Sequence, residues 1–341
     1  MTAVSNARTG NQNSALPVRL ARIREAATVV LLAIIIAIVT GIEPNFLSAF
    51  NIRSILLWVP LLTVIAMGEM MVIIIRGIDV SVGSTMGFAG IVVGMIFRDH
   101  PGFNIYLGTV MGIMIGAVLG AINGSLIAWV KIPPVITTLG TLSAYRGFVF
   151  IVSGARQIDP NYIPKELIRW SQRGPFNSQL VPWVVIIALV AALLIYLFLH
   201  YTKTGRNVYT LGSNPEAALL RGIPVNRTTF IVYTITGAMA GLAGILYASR
   251  FGFVNPGQTG VGFELTVIAA VVLGGTNVFG GSGSVIGTLL GCLLLGTINV
   301  ALAVLGIDAT WQLAVYGVAI LLTVSIDAII QQQIRRLVTG E

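Results

Sequence analysis

The residues in this sequence best placed to do specific work are one capped run and a few lone polar groups. Asn214-Pro215-Glu216-Ala217-Ala218-Leu219-Leu220-Arg221-Gly222 specifies a helix of roughly two turns with marked ends. Asn214 is a capping type, and Pro215 suits the first helical position. Glu216 faces the positive end of the helix dipole and Arg221 the negative end. Gly222 can take the left-handed position past the last turn, and Pro224 prevents continuation. So short a helix is marginal alone, so it needs something to dock against.

The lone polar groups sit within or beside apolar runs. Glu69 is a carboxylate in mid-run, where such a group is costly in lipid and faces a cavity or a partner. It reads either as a lining or gating group or as half of an ion pair with Arg76 or Arg146. Arg146 reads as an ion pair or a backbone clamp. Asp79 and Ser81 begin the third apolar run, at what reads as its cytoplasmic side, where Asp79 either complements the helix dipole or acts at a gate. Asn123, Thr137 and Thr138 can hydrogen-bond a polyol or a neighbouring helix. Glu264 opens a late run at what reads as the outer face, to meet a soluble partner or to cap its helix. Gln312 and Tyr316 read as packing.

Catalysis has little to stand on. The three lysines, Lys131, Lys165 and Lys203, none of them after a glycine, exclude a GxxxxGK[ST] phosphate loop. There is no HExxH pair and no GxSxG elbow. His100 and His200 lie apart, and Cys292 is the lone cysteine, so neither a zinc site nor an intrachain disulfide is expected. A membrane-embedded enzyme would need a cluster of carboxylates or histidines that is absent.

The elements that must position these groups follow from composition. Of 341 residues, 56% are hydrophobic and only 9% charged, against roughly a quarter charged in globular chains. No core hides that much apolar surface from water, so the solvent is lipid. The formal charge of +8 is scattered between apolar runs rather than gathered in a stripe. That pattern excludes nucleic acid as a partner and fits orientation in a bilayer.

Runs of about 20 apolar residues mark spanning helices. They fall at 26–42, 54–75, 80–97, 105–130, 132–155, 181–199 and 228–249. The uncharged stretch 265–307 divides into two at the glycine-rich segment 274–284, and 309–326 makes the tenth. The expected fold is all-α and polytopic, with a single transmembrane domain over 26–330 between tails 1–25 and 331–341. The run after the first tail lacks a convincing cleavage site and reads as a retained span. Ten spans put both termini on one side. Arg8, Arg19, Arg22, Arg24, Arg335, Arg336 and the basic loop 201–227 make that side the cytoplasm. Loop 153–180 then lies outside, with a short interfacial helix near 164–170. Five plus five spans would allow inverted halves, but the periodicity does not show them.

Glycine is abundant, at 39 residues. Gly108, Gly112, Gly116, Gly120 and Gly124 recur at every fourth position, as do Gly237 with Gly241 and Gly283 with Gly287 and Gly291. Such faces let helix backbones approach closely in lipid, as fixed packing or as faces that slide.

Glu216-Ala217-Ala218 followed by Gly222 resembles the EAA-x-x-x-G loop signature of ATP-binding-cassette importer permeases, although Thr234-Ile235 stand where the long form often has Leu-Pro. Gly77-Ile78-Asp79-Val80-Ser81-Val82-Gly83-Ser84, the Lys131-Ile132-Pro133-Pro134 and Thr137 to Leu142 runs, Tyr145-Arg146-Gly147, Thr204-Gly205-Arg206, and Glu264 with Ile268 to Gly275 resemble the ribose-type sugar permeases, in order, from Gly77 to Asp327. Phe251-Gly252-Phe253 and Gln258-Thr259-Gly260 look closer to the branch importing rhamnose or a furanosyl quorum-sensing signal. Glu69 departs from the neutral residue usual in relatives. The resemblance implies a bacterial inner-membrane permease that pairs with a second permease, identical or paralogous. It also implies an ATPase carrying ATP and Mg, and a periplasmic binding protein delivering a neutral monosaccharide-sized ligand. This chain itself would hold no cofactor. The run Asn214 to Gly222 would then be the coupling helix. An ion-coupled secondary sugar carrier, with Glu69 and Asp79 as ion sites, is the alternative, and it would leave that helix without a role.

Overall fold

The computed structural model describes residues 16–179 and 181–308, with isolated positions from 310 to 325. The described chain is helical: α1 Leu16–Ile42, α2 Ala49–Ile74, α3 Val82–Asp99, α4 Ile105–Ala128, α5 Pro134–Ser153, α6 Lys165–Gln172, α7 Trp183–Tyr201, α8 Lys203–Ser213, α9 Pro215–Leu220, α10 Val225–Phe251, α11 Phe263–Leu273 and α12 Val285–Val304. The one β-type pairing among the described residues is the antiparallel bridge between Ile158 and Val254.

Eight of these helices are long and apolar enough to span a bilayer. The span expected from Leu265 is shorter than the sequence suggests. α11 has 11 residues, which at 1.5 Å per residue crosses only about half of a ~30 Å hydrocarbon core. The expected tenth span, with Gln312 and Tyr316, lies largely outside the described residues, as does most of each tail. α1 begins at Leu16, inside the expected tail.

α2 is buried from Pro60 to Ile74, and α10 is buried along most of its length. Both are apolar all round, which marks core helices rather than lipid-facing ones. α3 and α4 pack on α10, while α11 and α12 pack on α2.

The expected glycine faces meet. A Cβ at Gly116 would strike the Gly237 carbonyl, and one at Gly120 the Tyr233 carbonyl. The α4 and α10 backbones therefore touch along much of their crossing. Gly287 and Gly291 bring α12 equally close to Gly274 and Ala270 at the end of α11.

Candidate functional site

α9 is built as its residues dictate. The Asn214 side-chain oxygen accepts from Ala217 N at 3.0 Å. At the other end Gly222 has φ +72°. Gly222 N donates to Leu219 O and Ile223 N to Ala218 O, each at 3.0 Å. That is the paired closure a left-handed glycine permits. Ala218 is buried against the bundle, whereas Leu219 and Leu220 are 67% and 88% exposed. The helix thus offers two bare leucines between Glu216 and Arg221.

A second helix, α8, precedes it in the loop read as polar and basic. The sequence signal for α8 was present but weak: Thr202 caps it through Gly205 N at 2.9 Å, and Gly205, Val208, Leu211 and Gly212 form its buried side. Tyr209 donates to Gly283 O at 3.2 Å, and burial pushes its hydroxyl pKa up to about 12. Arg76, at the end of α2, donates from Nε to Gly212 O and from Nη2 to Ser213 O, each at 2.7 Å. Gly281 N donates to Ile74 O at 2.9 Å. The start of α9 is therefore fastened to the end of α2 and to the 274–284 segment.

From Arg76 the chain turns back into the protein. Asp79 N donates to Glu69 Oε1 at 3.0 Å. Asp79 Oδ1 accepts from Ser81 N at 2.9 Å and Ser81 Oγ at 2.6 Å. Asn123 Nδ2 donates to Ser81 Oγ at 2.8 Å, and Tyr145 Oη donates to Asn123 Oδ1 at 3.2 Å. Thr138 Oγ1 donates to Ile78 O at 3.1 Å. This hub is buried and ties α2, α3, α4 and α5 together. Glu69 Oε2 and the Tyr233 hydroxyl are buried beside it, with no hydrogen-bond partner among the described residues.

Several expectations are corrected here. Glu69 pairs with neither Arg76 nor Arg146; it holds the backbone of Asp79. Asp79 is buried just before the Ser81 cap of α3. Arg146 keeps one of its two expected roles, the backbone clamp, donating from Nη1 to Thr259 O at 2.8 Å. Thr137 turns to Pro133 O of its own helix at 3.3 Å. Glu264 is half-buried in the first turn of α11 and stands beside Gly83 in the first turn of α3, where a Cβ on Gly83 would meet both Glu264 and the Gly260 carbonyl. The first turns of α3 and α11 thus meet. Sequence reasoning missed Tyr145 and Tyr233 as members of the hub. Among the described residues no cluster of three His, Cys, Asp or Glu could hold a metal.

A polytopic helical bundle in which the full-length α3 and the short α11 meet at their first turns, with a capped helix presented beyond it, has the make-up of a membrane transport subunit. Residues 51–324 match the family described as the permease component of the branched-chain amino acid transport system, and the chain belongs to that family. Its relatives include proteins named autoinducer 2 import system permease protein LsrC. That of Photorhabdus luminescens is 34% identical over 304 residues, 89% of each chain. That of Yersinia enterocolitica is 34% identical over 298 residues, 87% of this chain and 81% of its own. That of Escherichia coli strain HS is 34% identical over 301 residues, 88% and 86%. No solved structure matches. The chain is a multi-pass inner-membrane translocation subunit of an ATP-driven importer, and a separate chain hydrolyses the ATP. The ion-coupled carrier falls with that membership.

Proposed function

We propose that the chain conducts a neutral, monosaccharide-sized ligand, autoinducer 2 or a close furanosyl or deoxyhexose relative such as rhamnose. The pathway is formed with a second permease subunit, identical or paralogous. Both termini face the cytoplasm, so that Asn214 to Gly222 meets an ATPase holding ATP and Mg, and a periplasmic protein delivers ligand to the other face. The carrying observation is the α9 helix, bare at Leu219 and Leu220 and clamped through Arg76 to the segment that enters the hub. The ligand class leans on the names of the relatives and on the uncharged amide and hydroxyl groups that predominate around the hub.

α5 supplies the moving wall. It packs chiefly on α3, and its opposite side carries Gly140, Ser143, Ala144 and Gly147, all exposed. Thr138 and Arg146 tie it to Ile78 and Thr259, beside the inner starts of α3 and α11. A push on α9 is passed through Arg76 to 77–81, then to α3 and α5, and so opens or closes the side facing the second subunit.

Reconstitution with the ATPase and binding protein in proteoliposomes tests this. Stimulation of ATP hydrolysis by one sugar or by autoinducer 2, lost in Glu216→Lys, supports it. Uptake that survives ATP depletion overturns it.

A further inference from the structure

At the end of the bundle away from α9, a cleft of about 1060 Å³ opens between the Pro101 to Asn104 turn, the first turns of α4 and α7, and α6. That exceeds the ~300–1,000 Å³ usual for small-ligand sites. Its wall carries Lys165, Arg169 and Arg173, all exposed. Among the described residues no acid pairs with them; Glu166 is the one carboxylate on the wall. Trp170 and Tyr106 line the same cleft with ring centroids 6.1 Å apart, and Trp183 faces them from the start of α7.

Two bare apolar stripes begin at its lip. On α4, Tyr106, Val110, Met114 and Val118 are each more than half exposed. On α7 the exposed run continues from Trp183 through Val190, Leu194 and Leu197. In a membrane protein these stripes face hydrocarbon, and tryptophan and tyrosine mark the level of the head groups. A protein partner's carboxylates would answer the cations but not the stripes. We propose that the cleft seats the phosphate head group of an anionic phospholipid among Lys165, Arg169 and Arg173, with its acyl chains laid along α4 and α7. The inference needs only the bilayer, not the ligand proposed for transport, and the cleft shares no residue with the Glu69 hub.

The test uses the full chain purified in detergent and titrated with phosphatidylglycerol, phosphatidylcholine or glycerol phosphate, reading bound lipid by native mass spectrometry and the melting temperature. Phosphatidylglycerol should bind saturably and raise the melting temperature, and phosphatidylcholine should do neither. Arg169→Ala/Arg173→Ala should weaken binding about 25-fold, from roughly fivefold per cation. Lys203→Ala/Arg206→Ala, at the other end, should leave it unchanged. Equal binding of both lipids, equal loss in the control, or unchanged binding in the cleft variant overturns the proposal. Glycerol phosphate competing at equal concentration would make the ligand a soluble phosphate and also overturn it. A cleft variant that keeps its lipid but loses stimulation by the binding protein would assign the cations to a protein interface instead.

Discussion

The Arg76 guanidinium reaches across 136 positions of sequence to hold the Gly212 carbonyl at 2.7 Å. Its second bond, to Ser213 O, lands on the residue just before the Asn214 cap. Three residues after Arg76, Asp79 is buried against Glu69. One arginine therefore joins the capped helix α9, proposed to meet the ATPase, to the buried segment where α3 begins.

Arg76→Ala should uncouple the machine rather than unfold it. Hydrogen bonds to a charged donor contribute about 1.5–3 kcal/mol each when buried, and Arg76 is exposed, so the stability loss should fall below that. Ligand-stimulated ATP hydrolysis should drop about tenfold or more while copurification with the ATPase persists. Arg76→Lys should recover only part, since an ammonium lacks the planar fork. Full coupling in Arg76→Ala would remove this bridge from the mechanism.

Glu69 is needed as an acceptor, not as a charge. Oε1 takes the Asp79 N–H, and an amide oxygen can do the same. Glu69→Gln should therefore melt at or above the wild-type temperature and transport normally. Glu69→Ala leaves that N–H unpaired beside a void and should cost about 2–4 kcal/mol. A stable Glu69→Gln protein that transports nothing would show that ionisation of Glu69 is part of the cycle.

The sequence displayed the spanning helices well, because lipid imposes length and apolarity on each. The α4 helix observed at Ile105–Ala128 differs from its expected run only at the end. The α9 caps were equally legible, since Asn214, Pro215 and Gly222 each carry a local conformational reason. The hub was not. Glu69, Asp79 and Asn123 were visible as costly groups, but their partners come from turns that re-enter the protein, and periodicity carries no trace of a re-entrant turn. The shortness of α11 was hidden for a related reason: an 11-residue helix looks in sequence like part of a longer apolar run.

The glycine faces give a paired test within one type of substitution. Gly116 abuts the Gly237 backbone, whereas a Cβ at Gly140 meets nothing within 4 Å. Gly116→Ala should force α4 and α10 apart at about 1–3 kcal/mol, read as a lower melting temperature in detergent. Gly140→Ala should match or exceed wild-type stability, because alanine is the better helix former by roughly 1 kcal/mol. If the isolated subunit tolerates Gly140→Leu but the assembled importer loses transport, the open side of α5 faces the second subunit or the pathway. Unchanged transport would place it against lipid.

Leu219 and Leu220 are bare in the isolated chain, so changing them separates assembly from folding. Surface substitutions of this kind usually stay within about 0.5 kcal/mol. Leu219→Glu/Leu220→Glu should therefore leave the melting temperature unchanged and abolish copurification of the ATPase. Gly222→Ala attacks the same helix from its backbone: at φ +72° an alanine costs roughly 1–2 kcal/mol and should fray the last turn. It should weaken assembly without abolishing it, and Asn214→Ala should do likewise through the lost cap, at about 1 kcal/mol. Because the two point changes act on opposite ends of α9, their effects on assembly should compound if the helix docks as a rigid unit. A double variant no worse than either single one would mean that the ATPase grips one end only.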